Sequence, residues 1–315
     1  MNRAELEAGR RAVIDEHGPW LTSNIHLGEG VYTMAPGVVG AAEANVRRIA
    51  QLVRDHACRP LAGLRILDLG AFEGGLSVEL ALGGAEVVAV EARHPHVAKL
   101  RFAAEALGLE RLTAVEGDVR DLLELVSGPF DVVLCLGVLY HLDHPDVFRL
   151  VRAVADLTGA FAVFETQVSL SRAREVADDG TPYWGRDHAE DPRSPGAAVG
   201  TTRSFWLTRP SLLRALAAAG FTSVTEALHP AVPALAAFRD HVVVVAHRGT
   251  PVRVASMPEV NELPASAWEL PERVRRGAHP SQGLRYRVLE RLRRARGGGL
   301  AGVFKSANGP PGDRL

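Results

Sequence analysis

Two cysteines, Cys58 and Cys135, stand in 315 residues. So few cannot make a disulfide framework or, alone, a metal cluster, and this fits a protein of the reducing cytosol. No run of eighteen apolar residues occurs, so no membrane-spanning helix is expected. Residues 1–18 are charged and helix-like, without the apolar segment of a secretory signal. Net charge is −1, which argues against a strongly basic nucleic-acid binder and leaves room only for a local patch. The zinc-ligand spacing H-E-x-x-H is missing too, and no metal is assigned.

Apolar residues make up 47% of the chain, enough for a sizeable core. The stretch that organises it is Arg65-Ile66-Leu67-Asp68-Leu69-Gly70-Ala71-Phe72-Glu73-Gly74-Gly75. It reads as a short buried strand, a glycine turn and a helix over about 75–82. Gly70 and Gly74 leave room for a ligand beside the backbone. The helix N-terminus points its free N–H groups at the turn. This turn departs from the dinucleotide pattern G-x-G-x-x-G, which disfavours a nicotinamide oxidoreductase. Asp68 at the strand tip would repel a pyrophosphate and suits a cationic ligand carrying an amino group.

In chain order, a helix is expected over residues 4–17. A turn-rich segment follows around Pro19–Thr33, either a lid over a ligand or a packed extension. A helix is expected over 41–56. After the turn the pattern alternates: strand 85–90, helix 95–107, strand 112–116, strand 130–136, helix 147–157, strand 160–165. Such alternation implies a parallel sheet with right-handed crossovers. Residues 169–203 break it and read as an irregular insertion, an active-site loop or cap. A helix from Thr208 and strands over 221–227 and 241–246 complete the domain. Beyond residue 248 a partly disordered tail is expected, with a basic helix candidate over Arg285–Arg296 that could meet an acidic partner or RNA.

Acids recur at strand ends. Asp68 ends the first strand, Glu91 the second, Asp118 follows the third, and Leu136-Gly137 end the fourth. In an open parallel sheet these ends share one edge, beside the switch in strand order. A carboxylate at Glu91 can accept both hydrogen bonds of a ribose diol. Asp118 can accept from an adenine amino group, with Val119 lending its backbone and an apolar face.

This ordered set resembles the class I S-adenosylmethionine-dependent methyltransferases, over about residues 63–246. The Gly137-Val138-Leu139-Tyr140-His141-Leu142 stretch, with Pro145, is similar to the branch holding wobble-uridine carboxymethyltransferases and many small-molecule methyltransferases. The resemblance implies a Rossmann-like, seven-stranded, mostly parallel α/β sheet with helices on both faces and a reversed last strand. The expected organisation is an N-terminal helical or lid extension over 1–60, a domain over 61–248 with an insertion at 169–205, and a tail over 249–315. The implied cofactor is S-adenosyl-L-methionine, held by Asp68, Gly70, Gly74, Glu91, Asp118, Val119 and Leu136.

The activity expected is cytoplasmic O- or N-methylation of a small-molecule acceptor. RNA modification and a non-catalytic cofactor-binding homologue are the alternatives. Methyl transfer needs mainly proximity and alignment, and a base helps when the acceptor is a hydroxyl. His141 is the candidate base, because the strand-four loop borders the transferred methyl; His144 is a neighbour. Trp20, His26, Tyr140, Trp184 and His188 are the candidate walls of the acceptor pocket. Ala71-Phe72-Glu73 is where the turn departs from the common form of this motif, and Phe72 is expected to narrow the pocket.

Overall fold

The computed structural model describes residues 1–191, 196, 199–228 and 240–262. The basic helix candidate at Arg285–Arg296 and all of the expected tail beyond residue 262 lie outside the described residues. The described elements run α1 (Arg3–His17), β1 (His26–Gly28), β2 (Val31–Tyr32), α2 (Glu43–Ala57), β3 (Arg65–Leu69), α3 (Gly75–Leu82), β4 (Glu86–Glu91), α4 (His94–Ala106), β5 (Leu112–Glu116), α5 (Leu122–Leu125), β6 (Phe130–Leu136), α6 (Asp146–Leu157) and β7 (Thr158–Gln167). Then come β8 (Arg174–Asp178), β9 (Thr181–Ala189), β10 (Arg203–Leu207), α7 (Arg209–Ala218), β11 (Ser223–Glu226) and β12 (His241–His247).

Seven strands form one sheet in the order β11-β12-β7-β6-β3-β4-β5. The five strands from β7 to β5 are parallel, and β12 is antiparallel to both neighbours, the reversed strand expected. Helices cover both faces. Phe148, Val151 and Val154 of α6 and Leu212 of α7 pack on Leu67, Val133 and Phe164. Ile49 and Val53 of α2, Val78 of α3 and Leu100 of α4 pack on Ile66, Val132 and Val163. The sheet's period of two puts Asp68 on the Ile66 face, beneath α3. The chain leaves β3 for β4 on one side and later places β6 on the other. A crevice therefore opens at the carboxyl tips of β3 and β6.

The N-terminal segment is a packed extension. Trp20 is 3% exposed and lies against Phe102, with ring centroids 6.1 Å apart. The segment is held by Glu73, whose side chain is fully buried. That carboxylate accepts the backbone N–H groups of Leu21 (2.8 Å), Thr22 (2.9 Å) and Ser23 (3.4 Å) and the Lys99 ammonium (3.0 Å). Lys99 also donates to the Pro19 carbonyl at 2.6 Å.

The described part of the 169–203 stretch is not the irregular insertion expected. It builds most of an antiparallel sheet in the order β10-β9-β8. Asp179 and Gly180, with φ of 47° and 74°, make the two-residue turn between β8 and β9. The backbone groups of these strands are thus paired by a sheet ladder.

Removing one partner of a buried, fully bonded ion pair leaves the other charge stranded. Glu73→Ala is expected to cost about 3–5 kcal/mol of folding free energy by urea denaturation. A loss below about 1 kcal/mol would mean that the strap at 20–23 does not depend on this carboxylate.

Candidate active site

The cleft at the β3 and β6 tips has a volume of about 480 Å³ and is lined by Gly70, Phe72, Glu91, Asp118, Val119, Leu136, Gly137, Tyr140 and His141, among others. A compartment of about 280 Å³, lined by Asp68, adjoins it and shares Thr22, Asn45, Gly70, Phe72 and Leu136 with it. Gly70 has φ of 65°, and a Cβ there would sit 2.5 Å from the Val138 side chain. Only glycine lets the β3 turn pass so close to the β6 turn.

Glu91 ends β4 and is 7% exposed. Its carboxylate accepts the N–H groups of Phe72 (2.9 Å) and Arg93 (2.8 Å). Burial opposes its charge, but His96, its Nδ1 3.6 Å away, and the bonds from Arg93 and Phe72 outweigh it and hold the carboxyl below the usual range. Asp118 caps a short 3₁₀ turn (Val119–Asp121) and accepts from the Arg120 N–H (2.9 Å), Nε (3.0 Å) and a terminal guanidinium nitrogen (2.5 Å). Burial again opposes its charge, and Arg120 more than offsets it, keeping the carboxyl low. Arg120 also donates to the Val199 carbonyl at 2.8 Å, joining this side of the cleft to the segment before β10.

Asp68 is 3% exposed and accepts from Ser77 Oγ at 2.6 Å. Burial pushes it up to about 6; the Ser77 bond opposes the rise and nearby Glu91 adds to it.

His141 lines the cleft, and its Nδ1 lies 3.0 Å from a Glu190 carboxylate oxygen. A carboxylate there accepts a hydrogen bond from Nδ1–H and leaves Nε2 as the acceptor, the arrangement a general base needs. The other Glu190 oxygen accepts from Ser204 Oγ at 2.8 Å, and Ser204 Oγ accepts from the Trp206 indole at 3.2 Å. Tyr140 sits beside His141, ring centroids 4.2 Å apart. Burial, with Glu165 and Glu190 nearby, raises its hydroxyl above the ordinary value, so it stays protonated.

Six sequence candidates stand away from the cleft. Gly74, the N-cap of α3, has φ of 81°, and a Cβ there would lie 2.2 Å from Leu100. Its bareness makes room for the Leu100 side chain of α4. Trp20 fills the core under α4. His26 stacks on Tyr32 in the β1–β2 hairpin and lines a separate cavity of about 400 Å³. Trp184 is 6% exposed, its backbone N–H bonded to Ser211 Oγ at 2.8 Å beside α7. His188 stacks on Trp206 at 4.3 Å. His144 bonds the Ala177 carbonyl at 3.1 Å. Sequence reasoning missed Thr22, Asn45 and Glu190, which come from elements far along the chain and share no local spacing with the strand tips. Among the described residues no three metal-ligating side chains gather, and no helix is long and apolar enough to cross a membrane.

Residues 66–159 match the family model of a methyltransferase domain. Over 125 residues the chain is 33% identical to a ubiquinone biosynthesis O-methyltransferase of Maricaulis maris (strain MCS10), covering 40% of this chain and 49% of that one. Over 102 residues it is 40% identical to the protein of that name from Ruegeria pomeroyi (strain ATCC 700808 / DSM 15171 / DSS-3), covering 31% and 38%. The chain thus spans about half or less of the length of these relatives. The N-terminal domain of EvdMO1 with SAH bound superposes with a TM-score of 0.61 at 25% identity, covering 79% of this chain and 98% of that one. The same domain in the presence of SAH and D-fucose gives 0.59 at 26%, covering 77% and 96%. Fold, cleft and domain match agree: this chain carries a class I S-adenosylmethionine-dependent methyltransferase domain.

A carboxyl whose folded value is raised favours folding while protonated and loses that contribution as pH rises through the folded value. Asp68, raised from 3.8 to about 6, therefore weakens the ligand-free fold between about pH 4 and 6. Asp68→Asn, which keeps an acceptor for Ser77, is expected to stabilise the protein at pH 8 by up to about 3 kcal/mol, with no gain below about pH 4. Urea denaturation at the two pH values checks this; equal stability of variant and wild type at pH 8 would contradict it.

Proposed function

We propose that this chain transfers the methyl group of S-adenosylmethionine to a hydroxyl of a small organic acceptor, with His141 as the base that takes the hydroxyl proton. The observation carrying the proposal is the His141–Glu190 pair on the wall of the same cleft that Gly70 and Glu91 line.

The residues present fit the cofactor. Gly70 lacks the Cβ that would crowd the turn. The Glu91 carboxylate keeps lone pairs beyond its two backbone bonds, as a ribose diol requires. Asp118 lines the cleft at the β5 end beside the apolar Val119, suited to an adenine. The buried Asp68 carboxyl lines the adjoining compartment, suited to an ammonium. When bound, the cofactor supplies a methyl group activated by a sulfonium. The chain's residues align the acceptor oxygen with it, exclude water beneath the cap, and receive the proton at His141 Nε2. Glu190 stabilises the imidazolium that forms.

Oxygen as the acceptor atom is supported by the presence of an oriented base, and by relatives named O-methyltransferases. A sugar hydroxyl is one acceptor to try, since the similar EvdMO1 domain was crystallised in the presence of D-fucose. The wobble-uridine reading rests on the Tyr140-His141 stretch and on the basic segment Arg285–Arg296, which lies outside the described residues.

Glu91→Ala is expected to weaken S-adenosylhomocysteine binding about tenfold to a hundredfold by calorimetry, the range for hydrogen bonds to a charged group. His141→Ala is expected to keep that affinity and lower kcat about 10²- to 10⁴-fold, assayed on an acceptor found by screening hydroxylated compounds for S-adenosylhomocysteine release. Unchanged affinity in the first variant would remove the ribose assignment. Unchanged kcat in the second would remove the base.

A further inference from the structure

Asn45 lies in the first turn of α2, far in sequence from every strand tip, yet lines both compartments of the cleft. Its Nδ2 donates to Glu165 Oε2 at 2.9 Å. Glu165, near the end of β7, also accepts from Arg48 at 2.9 Å and from His241 Nε2 at 3.0 Å. Three donors around one buried carboxylate keep it ionised and acceptor-only. The Asn45 amide therefore cannot flip, since a flip would set Oδ1 against a charged oxygen. Its Nδ2 is committed to Glu165, and Oδ1 is left buried without a partner among the described residues. An acceptor fixed in this way by a charged network is a site for a ligand's donor.

The adjoining compartment identifies that donor. Asp68 lines it, and Ser77 supplies the one hydrogen bond described at its carboxyl. No lysine, arginine or histidine side chain is among the described residues that line it. Two acceptor side chains with no competing cation suit an ammonium group and repel a carboxylate.

We infer that Asn45 Oδ1 accepts a hydrogen bond from the α-ammonium group of the cofactor's amino-acid arm, with Glu165 as the positioning residue that orients the amide. This rests on the cofactor reading above and adds a contact from outside the strand tips.

The test is calorimetry of the full chain with S-adenosylhomocysteine and with 5′-methylthioadenosine, which keeps the nucleoside and thioether but lacks the arm. In Asn45→Leu and Asn45→Ala, S-adenosylhomocysteine affinity is expected to fall about tenfold to a hundredfold while that for methylthioadenosine stays within about twofold. Equal losses for both ligands would mean a damaged cleft, and no loss for either would mean that Asn45 does not meet the arm; each overturns the inference. Retained affinity for both with a raised acceptor KM would assign Asn45 to the acceptor and also overturn it. A wild type that binds neither ligand would instead remove the cofactor reading, and this inference with it.

Discussion

The geometry of the cleft depends on the buried Glu73 carboxylate. It sits one residue before Gly74, the N-cap of α3, inside the turn that a ligand would line. Five donors converge on it from two directions: the backbone of Leu21, Thr22 and Ser23 with the Thr22 hydroxyl, and the Lys99 ammonium of α4. A charge so deeply buried is tolerable only when its hydrogen bonds are made. The turn is therefore locked against α4, and the N-terminal strap is locked against the turn. Phe72 is held at φ of 52°, with its N–H on Glu91. Thr22 is brought to the cleft, and the Thr22 carbonyl receives the Ala42 N–H at 3.1 Å, just ahead of α2. The chain that carries Asn45 is positioned through this contact.

The carboxylates of the cleft differ because their surroundings differ. Glu91 has backbone donors and His96 and is held ionised. Asp118 has Arg120 and is held ionised too. Asp68 has one hydroxyl and a dry environment, and it rises to about 6. Such an acid carries its charge with difficulty until a cation arrives. Binding an ammonium would lower it again, so ligand charge and site charge are coupled. The pairing of His141 with Glu190 applies the same logic to a base, with a carboxylate fixing the tautomer from behind.

Much of this was legible. Strands β3 to β7 follow from buried apolar runs alternating with helical spacing, and the acids at 68, 91 and 118 follow from their places at strand ends. Glu73 was also visible in the sequence, but only as an oddity of the turn, because its backbone partners lie 50 to 52 residues upstream and Lys99 lies 26 downstream. The cap sheet carried a local signal in Asp179-Gly180 between two strands, and the glycine- and proline-rich composition around it masked that signal. Glu190 had none, since its link to His141 spans 49 residues. Trp20 and Trp184 misled because aromatic side chains fill cores as readily as they line pockets. Gly74 misled because a bare Cα serves helix packing as well as ligand approach.

Native mass spectrometry of the purified chain, mixed with equimolar S-adenosylhomocysteine, tests the central claim most directly. The account predicts one ligand per chain, displaced by S-adenosylmethionine and lost in Glu91→Ala. A chain that stays empty at ligand concentrations well above those of ordinary cofactor affinity, while still folded, would contradict the assignment of the cleft and the methyl-transfer reading with it.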